Sequence, residues 1–192
     1  MNGYERRTKQ KKEAILNAAR ELFFGNGVKE TTISDICRKA KVSQGSLYNY
    51  FENKEAILYE VIHEHITKTI RSMEDVLDLD LPFAQKIDML FTLRDESDGA
   101  LSPGFLKSVA WNDPKIEKIF QAVLSAEAMP FIARFLELGQ KEGAVDPRIT
   151  VEAVMAHISA YLSIFTHPDF LGTSPAYKEG VYRLFYYGIL GK

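Results

Sequence analysis

Apolar residues recur along this chain with the period of a helix, segment after segment. From Lys9 to Gly25 they fall at Ile15, Ala18, Ala19, Leu22 and Phe23, the single stripe of an amphipathic helix. Gly25-Asn26-Gly27 ends it, because glycine and asparagine accept the left-handed conformation of a helix terminus. A short helix follows, with Thr32 as N-cap, Asp35 three residues on, and Ile33, Ile36, Cys37 and Ala40 as its inner face. Lys41-Val42 makes a turn, Ser43 caps a third helix, and Leu47 and Phe51 anchor it. Asn53 caps a fourth and long helix through Ile57, Leu58, Val61, Ile62, Ile66, Ile70, Met73 and Leu77.

Past residue 80 the punctuation is proline. Ser102-Pro103, Asp113-Pro114, Asp146-Pro147 and Ser174-Pro175 each pair an N-cap type with Pro at the first helical position, where its missing N–H costs nothing. Pro82 starts another helix, although Leu81 is a poor cap. The expected helices are 82–95, 102–109, 114–141, 147–166 and 175–190, with a kink at Pro130. No segment alternates with period two. The expected fold is all-α, about nine helices: a three-helix helix-turn-helix domain over residues 1–54 and a helical bundle over 55–192.

Charge changes how this pattern is read. The net charge of −2 argues against a polyanion-binding protein, but it is unevenly spread. Residues 1–54 carry 11 basic and 6 acidic groups, or +5, and the remaining 138 carry 13 and 20, or −7. A basic head on an acidic body is what one DNA-contacting domain produces. The 192 residues are 46% hydrophobic and 26% charged, an ordinary globular composition. The sequence shows no run of the roughly 18–20 apolar residues that cross a membrane. The basic N-terminus leads into an amphipathic stretch rather than a signal-peptide core. Cys37 is the single cysteine, which excludes an internal disulfide and a cysteine-built zinc site. These features set the expectation of a cytoplasmic protein with no membrane partner.

The third helix carries the most specific chemistry. Ser43, Gln44, Gly45, Ser46, Tyr48, Asn49 and Tyr50 are small or hydrogen-bonding where surface helices usually carry Glu and Lys. In helix-turn-helix geometry this helix enters the major groove. Gln44 has the bidentate amide that reads adenine. Gly45 has no side chain to hold the helix off the bases; the plainer alternative is a tolerated surface glycine. Ser43, Ser46, Tyr48, Asn49 and Tyr50 are suited to phosphates, the alternative for both tyrosines being half-buried packing. Thr31 and Thr32 sit at the positive end of the second helix, and Lys54 offers a further cation.

The segments AILNAARELFFGNG and TTISDICRKAKVSQGSLYNYFENKEAIL resemble the DNA-binding domain of the TetR (tetracycline-repressor-like) family, above all in the spacing of Gly45, Leu47, Tyr48, Phe51 and Lys54. The resemblance covers roughly a quarter of the chain. It implies a homodimeric all-α transcription regulator, usually a repressor, released from a double-stranded DNA operator by a small ligand. It also implies DNA contact at Thr31, Thr32, Ser43, Gln44, Gly45, Ser46, Tyr48, Tyr50 and Lys54. The chain departs from the family at Tyr50, where His is frequent, and at Gln44, where a basic residue is common.

The body holds no catalytic constellation. His63, His65, His157 and His167 are scattered, and no HExxH, phosphate loop or nucleophile elbow occurs. No enzyme activity, metal or cofactor is expected. Candidates to line an apolar effector pocket are Met73, Met89, Phe105, Trp111, Phe120 and Met129, each of which is equally at home in a plain core. Helix 147–166 has two apolar faces. One is Val151, Met155, Ile158, Leu162 and Phe165; the other is His157, Ala160, Tyr161 and Ile164. The last helix is apolar nearly all round. His157, Ala160, Tyr161, Ile164, Tyr182, Phe185 and Tyr186 are therefore the expected two-fold dimer interface, unless both faces are covered within one chain. The rival readings are an activator or co-repressor-dependent regulator of the same fold, and an all-α small-molecule enzyme or carrier.

Overall fold

The computed structural model describes residues 3–98, 114–165 and 167–190. Every regular element among them is a helix: α1 (Gly3–Asn26), α2 (Ile33–Ala40), α3 (Gln44–Tyr48), α4 (Lys54–Leu77), α5 (Phe83–Asp98), α6 (Pro114–Lys141), α7 (Val151–Phe165), α8 (Pro168–Leu171) and α9 (Pro175–Leu190). The expected helix at 102–109, with Phe105 and Trp111, lies outside the described residues. The described residues form two compact units, one from 3–65 and 114–123, the other from 66–98 and 124–190.

The first unit is built on the stripe that the periodicity marked. Ile15, Ala18, Ala19 and Phe23 of α1 are buried with Ile36 and Cys37 of α2, Leu47 of α3, Phe51, and Ile57, Leu58 and Val61 of α4. Burial in this apolar setting raises the pKa of the Cys37 thiol, which suits an inert core residue. Ion pairs Lys39–Glu21, Lys12–Glu60 and Arg20–Glu64 fasten the outside.

In the second unit Val76 and Leu77 of α4, Phe83, Ile87 and Leu90 of α5, Phe131, Ile132, Phe135 and Leu136 of α6, and Val154 of α7 share one core. α6 runs as one helix through Pro130. Contrary to the reading of the bare sequence, Glu117–Lys141 is long and apolar enough to cross a membrane. Its inward row in the core accounts for much of that apolarity.

Three local outcomes differ from expectation, each for a tertiary or turn-level reason. Asp146-Pro147 does not start a helix. The Asp146 carboxylate accepts the Arg148 N–H at 2.8 Å and pairs with its guanidinium, and Ile149 N–H closes a turn on Asp146 O at 3.0 Å. The Arg148 hydrogen bonds lower the Asp146 pKa to about 2. Thr150 caps α7 instead, its hydroxyl accepting from Ala153 N–H at 3.3 Å. The poor cap at Leu81 is compensated from outside, because Glu142, just past the end of α6, accepts the Phe83 N–H at 2.9 Å. α8 is a short helix that the periodicity did not show.

Lys86 is buried and donates to the Leu77 carbonyl at 2.9 Å, closing the C-terminus of α4 with a positive charge. Gly139 lets α6 approach its neighbours. A Cβ there would lie 2.6 and 2.8 Å from the Phe83 ring and would also overlap Val145 Cγ2. Gly139→Ala should therefore overpack this core and cost about 1–3 kcal/mol. A thermal melt should show a Tm loss of roughly 2–4 °C per kcal/mol; an unchanged Tm would refute the tight packing at Gly139.

Candidate DNA-binding interface

The helix-turn-helix begins with a complete capping box. Thr32 Oγ1 accepts the Asp35 N–H at 3.1 Å, and the Asp35 carboxylate accepts the Thr32 N–H at 3.1 Å and its hydroxyl at 2.6 Å. The Thr32 hydroxyl, then its N–H, then Arg38 at 2.7 Å hold the Asp35 pKa below the usual carboxylate range. α2 stops at Lys41, which adopts the left-handed conformation (φ 55°, ψ 44°) with its N–H turned back to Arg38 O and Cys37 O. The chain then redirects into α3. There Ser43 Oγ accepts the Ser46 N–H at 3.1 Å, and Asn53 Oδ1 caps α4 through the Ala56 N–H at 2.8 Å.

α3 turns a single residue fully inward, Leu47. The opposite face is open. Ser43, Gln44, Gly45, Tyr48 and Asn49 are exposed, Tyr48 by 53%, and Ser46 and Tyr50 are half-buried. Asn49 and Tyr50 lie in the turn after the helix rather than in it. A Cβ placed on Gly45 would meet nothing within 4 Å, so no intramolecular packing demands glycine there. Gln44 Nε2 is 3.5 Å from the Ser34 hydroxyl, too long to hold the amide in place.

Two of the expected phosphate ligands make contacts within the chain, at the α1–α2 loop. Thr31 is 1% exposed, and its hydroxyl donates to Gly27 O at 2.7 Å, so it is a structural tie in the α1–α2 loop. Lys54 is half-buried and donates to Val28 O at 2.9 Å and Thr31 O at 3.1 Å. Its ammonium pins that loop to the start of α4. Thr and Lys read as DNA-facing types in sequence, but the loop carbonyls they satisfy are visible only in three dimensions.

Residues 15–61 match the model of the family described as bacterial regulatory proteins, tetR family. Residues 15–61 thus carry a tetR-family DNA-binding domain. Among curated relatives, the uncharacterized HTH-type transcriptional regulator YvdT of Bacillus subtilis is 34% identical over 85 residues, covering 44% of each chain. The A-factor receptor protein of Streptomyces griseus is 31% identical over 138 residues, which is 71% of this chain and 46% of that one. The matches thus span under half the length of these relatives. Solved structures share the fold. The fatty acid degradation regulator FadR of Bacillus halodurans aligns at a TM-score of 0.71 and 17% identity, covering 91% of this chain and 94% of that one. FadR of Bacillus subtilis, solved with stearoyl-CoA, aligns at 0.67 and 20%, covering 90% and 96%.

The matched residues run from the middle of α1 into the first turns of α4; the other candidates lie beyond them. Met73 is half-buried against the core of the second unit, and Phe120 is half-buried on α6. Met89 and Met129 are exposed, each two positions or fewer from inward residues (Ile87 and Leu90, Ala128 and Phe131) but off that face. On the expected dimer face, His157 and Tyr161 pack within the chain against Phe185 of α9. The His157 ring stacks on Phe185 at 5.2 Å, and its Nε2 donates to Phe185 O at 3.0 Å. Gly188 permits this approach, since a Cβ there would meet the His157 ring at 2.9 Å. Tyr182 packs edge-on against Phe170. Ala160 and Ile164 remain exposed; the Tyr186 side chain lies outside what is described. The sequence reading missed Tyr177, Leu184 and Tyr187, exposed by 56%, 65% and 52%. The all-round apolar character of the last helix was their signal.

Thr32→Ala should lower the stability of the head by about 1 kcal/mol at neutral pH, read by denaturant melts. Because Asp35 is held below its ordinary pKa of about 4, its contribution is complete above that pH and is lost as pH falls through the lowered value. The gap between wild type and Thr32→Ala should accordingly narrow below about pH 4. A gap independent of pH would contradict the reciprocal cap.

Proposed function

We propose that this protein is a dimeric, sequence-specific DNA-binding transcriptional regulator, acting as a repressor that a small, largely apolar ligand releases from its operator. The observation that carries the DNA reading is the outer face of α3: uncharged, hydrogen-bonding and exposed, with a glycine that no internal contact requires. Gln44 and Gly45 are assigned to the bases, and Thr32, Ser43, Ser46, Tyr48, Asn49 and Tyr50 to phosphates and base edges. Thr31 and Lys54 act behind them as the loop clamp.

The ligand reading is supported by a structural neighbour solved with stearoyl-CoA and by the A-factor receptor among the relatives. Met73, half-buried against the core of the second unit, stays as a candidate to touch such a ligand. The coupling is a population shift, in which ligand favours a conformation whose paired heads no longer match successive major grooves about 34–36 Å apart.

A second copy of the chain is the partner assigned to α7 and α9. Tyr177, Leu184 and Tyr187 recur on α9 at the spacing of one helix face, and Ile164 is exposed on α7 by 41%. Large apolar side chains grouped this way mark a protein interface, and a two-fold axis makes one such patch its own complement.

Selection of bound duplexes from a random pool, followed by gel shift, tests the function directly. Gly45→Glu should abolish the shift while leaving the dimer and Tm unchanged; normal binding by this variant would remove α3 from the interface. Leu184→Glu should convert the dimer to monomer in sedimentation analysis and weaken operator binding with it. A dimer that survives Leu184→Glu would place the interface elsewhere.

A further inference from the structure

The turn between α2 and α3 holds a residue that its backbone does not favour. Lys41 is the one non-glycine residue with positive φ among the described residues, at φ 55° and ψ 44°. In this left-handed region a Cβ crowds the following carbonyl, whereas glycine, which has none, adopts it freely. Helices that end this way therefore usually end on glycine. The backbone cannot easily leave the conformation. The Val42 N–H donates to Cys37 O at 3.0 Å, and Ile36 and Cys37 are buried one turn before. A lysine kept here carries a strain that glycine would remove, so its side chain needs a reason of its own.

Two structural reasons fail. The first is a contact within the chain. Lys41 is exposed, and its ammonium has no hydrogen bond or ion pair among the described residues. The other cations of the segment 31–54 are committed: Arg38 to Asp35 at 2.7 Å, Lys39 to Glu21 at 2.7 Å, and Lys54 to two backbone carbonyls. The second is the dipole at the C-terminus of α2, which favours a cation. Arg38 and Lys39 already occupy that last turn.

The helix-turn-helix supplies a third reason. Lys41 stands three residues before Gln44, and Ser43, Gln44 and Gly45 after it are all exposed. In this geometry the first helix crosses the DNA backbone, while the N-terminal residues of the second meet base edges. The joint between them therefore lies at the edge of the groove, beside backbone phosphates. α3 itself carries no charge, and phosphate neutralisation supplies essentially all of non-specific DNA affinity.

We propose that Lys41 is a phosphate-binding residue, its ammonium neutralising one backbone phosphate at the edge of the major groove that α3 reads. The contact is blind to sequence. It adds affinity and salt dependence, while α3 sets preference. The inference rests on the DNA-binding reading of α3, and the two fail in different ways.

The test compares the full-length protein with Lys41→Gln and Lys41→Gly by fluorescence anisotropy. The probes are a selected operator duplex and a random-sequence duplex of equal length, from about 0.05 to 1 M salt. In both variants the slope of log K against log salt should flatten by about 0.9 for each bound head, roughly a five-fold weakening per head at 0.15 M relative to 1 M. The ratio of operator to random affinity should stay constant. In Lys41→Gly the Tm should hold or rise, because the left-handed strain is relieved. Lys141→Gln, on the exposed end of α6, should leave the slope unchanged. Wild-type binding with an unaltered slope in both Lys41 variants overturns the proposal and leaves the α3 reading standing. A Tm that falls in Lys41→Gly would show that the fold itself needs the lysine, and overturns it too. Equal flattening by Lys141→Gln would make the effect one of net charge, and loss confined to the operator would make Lys41 a base reader; each overturns the phosphate assignment. No DNA binding by wild type overturns both readings.

Discussion

Leu47 and the cap before it carry a burden out of proportion to their size. A helix as short as Gln44–Tyr48 has no stability of its own, because nucleation consumes more entropy than one turn of hydrogen bonds returns. It persists because Ser43 takes the Ser46 N–H, Leu47 is wholly buried, and Phe51 anchors the turn that follows. Concentrating attachment in one side chain and one cap frees the rest of the surface. The exposed face can then be chosen for a partner rather than for packing, which is why it can hold a glycine and uncharged polar groups.

The same economy extends to the loop before α2. Thr31 and Lys54 are committed to the carbonyls of Gly27, Val28 and Thr31. Buried or half-buried carbonyls left unmet would cost of order 1–3 kcal/mol each. Holding this loop fixes where α2 starts, and its capping box then fixes the axis on which α3 is hung. Residues that look like DNA ligands by side-chain type alone thus also hold the loop together.

In the second unit, specificity lies in how the helices end. α4 ends against the buried ammonium of Lys86, and α5 begins on the Glu142 carboxylate. α7 and α9 meet where Gly188 makes room for the His157 ring. That meeting consumes half of the second apolar face of α7 and leaves Ile164, with Leu184 and Tyr187 of α9, exposed.

The helical class, most element boundaries and the helix-turn-helix that the tetR model matches were legible in the order of residues. Periodicity and caps are local, and a Thr, Ser or Asn before an apolar stripe does the same work in any fold. Thr32, Ser43 and Asn53 cap as their positions imply, and Ile15, Leu47 and Phe51 are buried as the stripes imply. Which of several chemically suitable residues face outward was settled by packing in three dimensions. Thr31 and Lys54 turned in, Met89 and Met129 turned out, and His157 and Tyr161 were taken by Phe185. Packing and turn geometry likewise made Asp146-Pro147 a turn and gave α5 its cap from Glu142. In each case the deciding partner is remote along the chain, or is a backbone group whose position no side-chain pattern records.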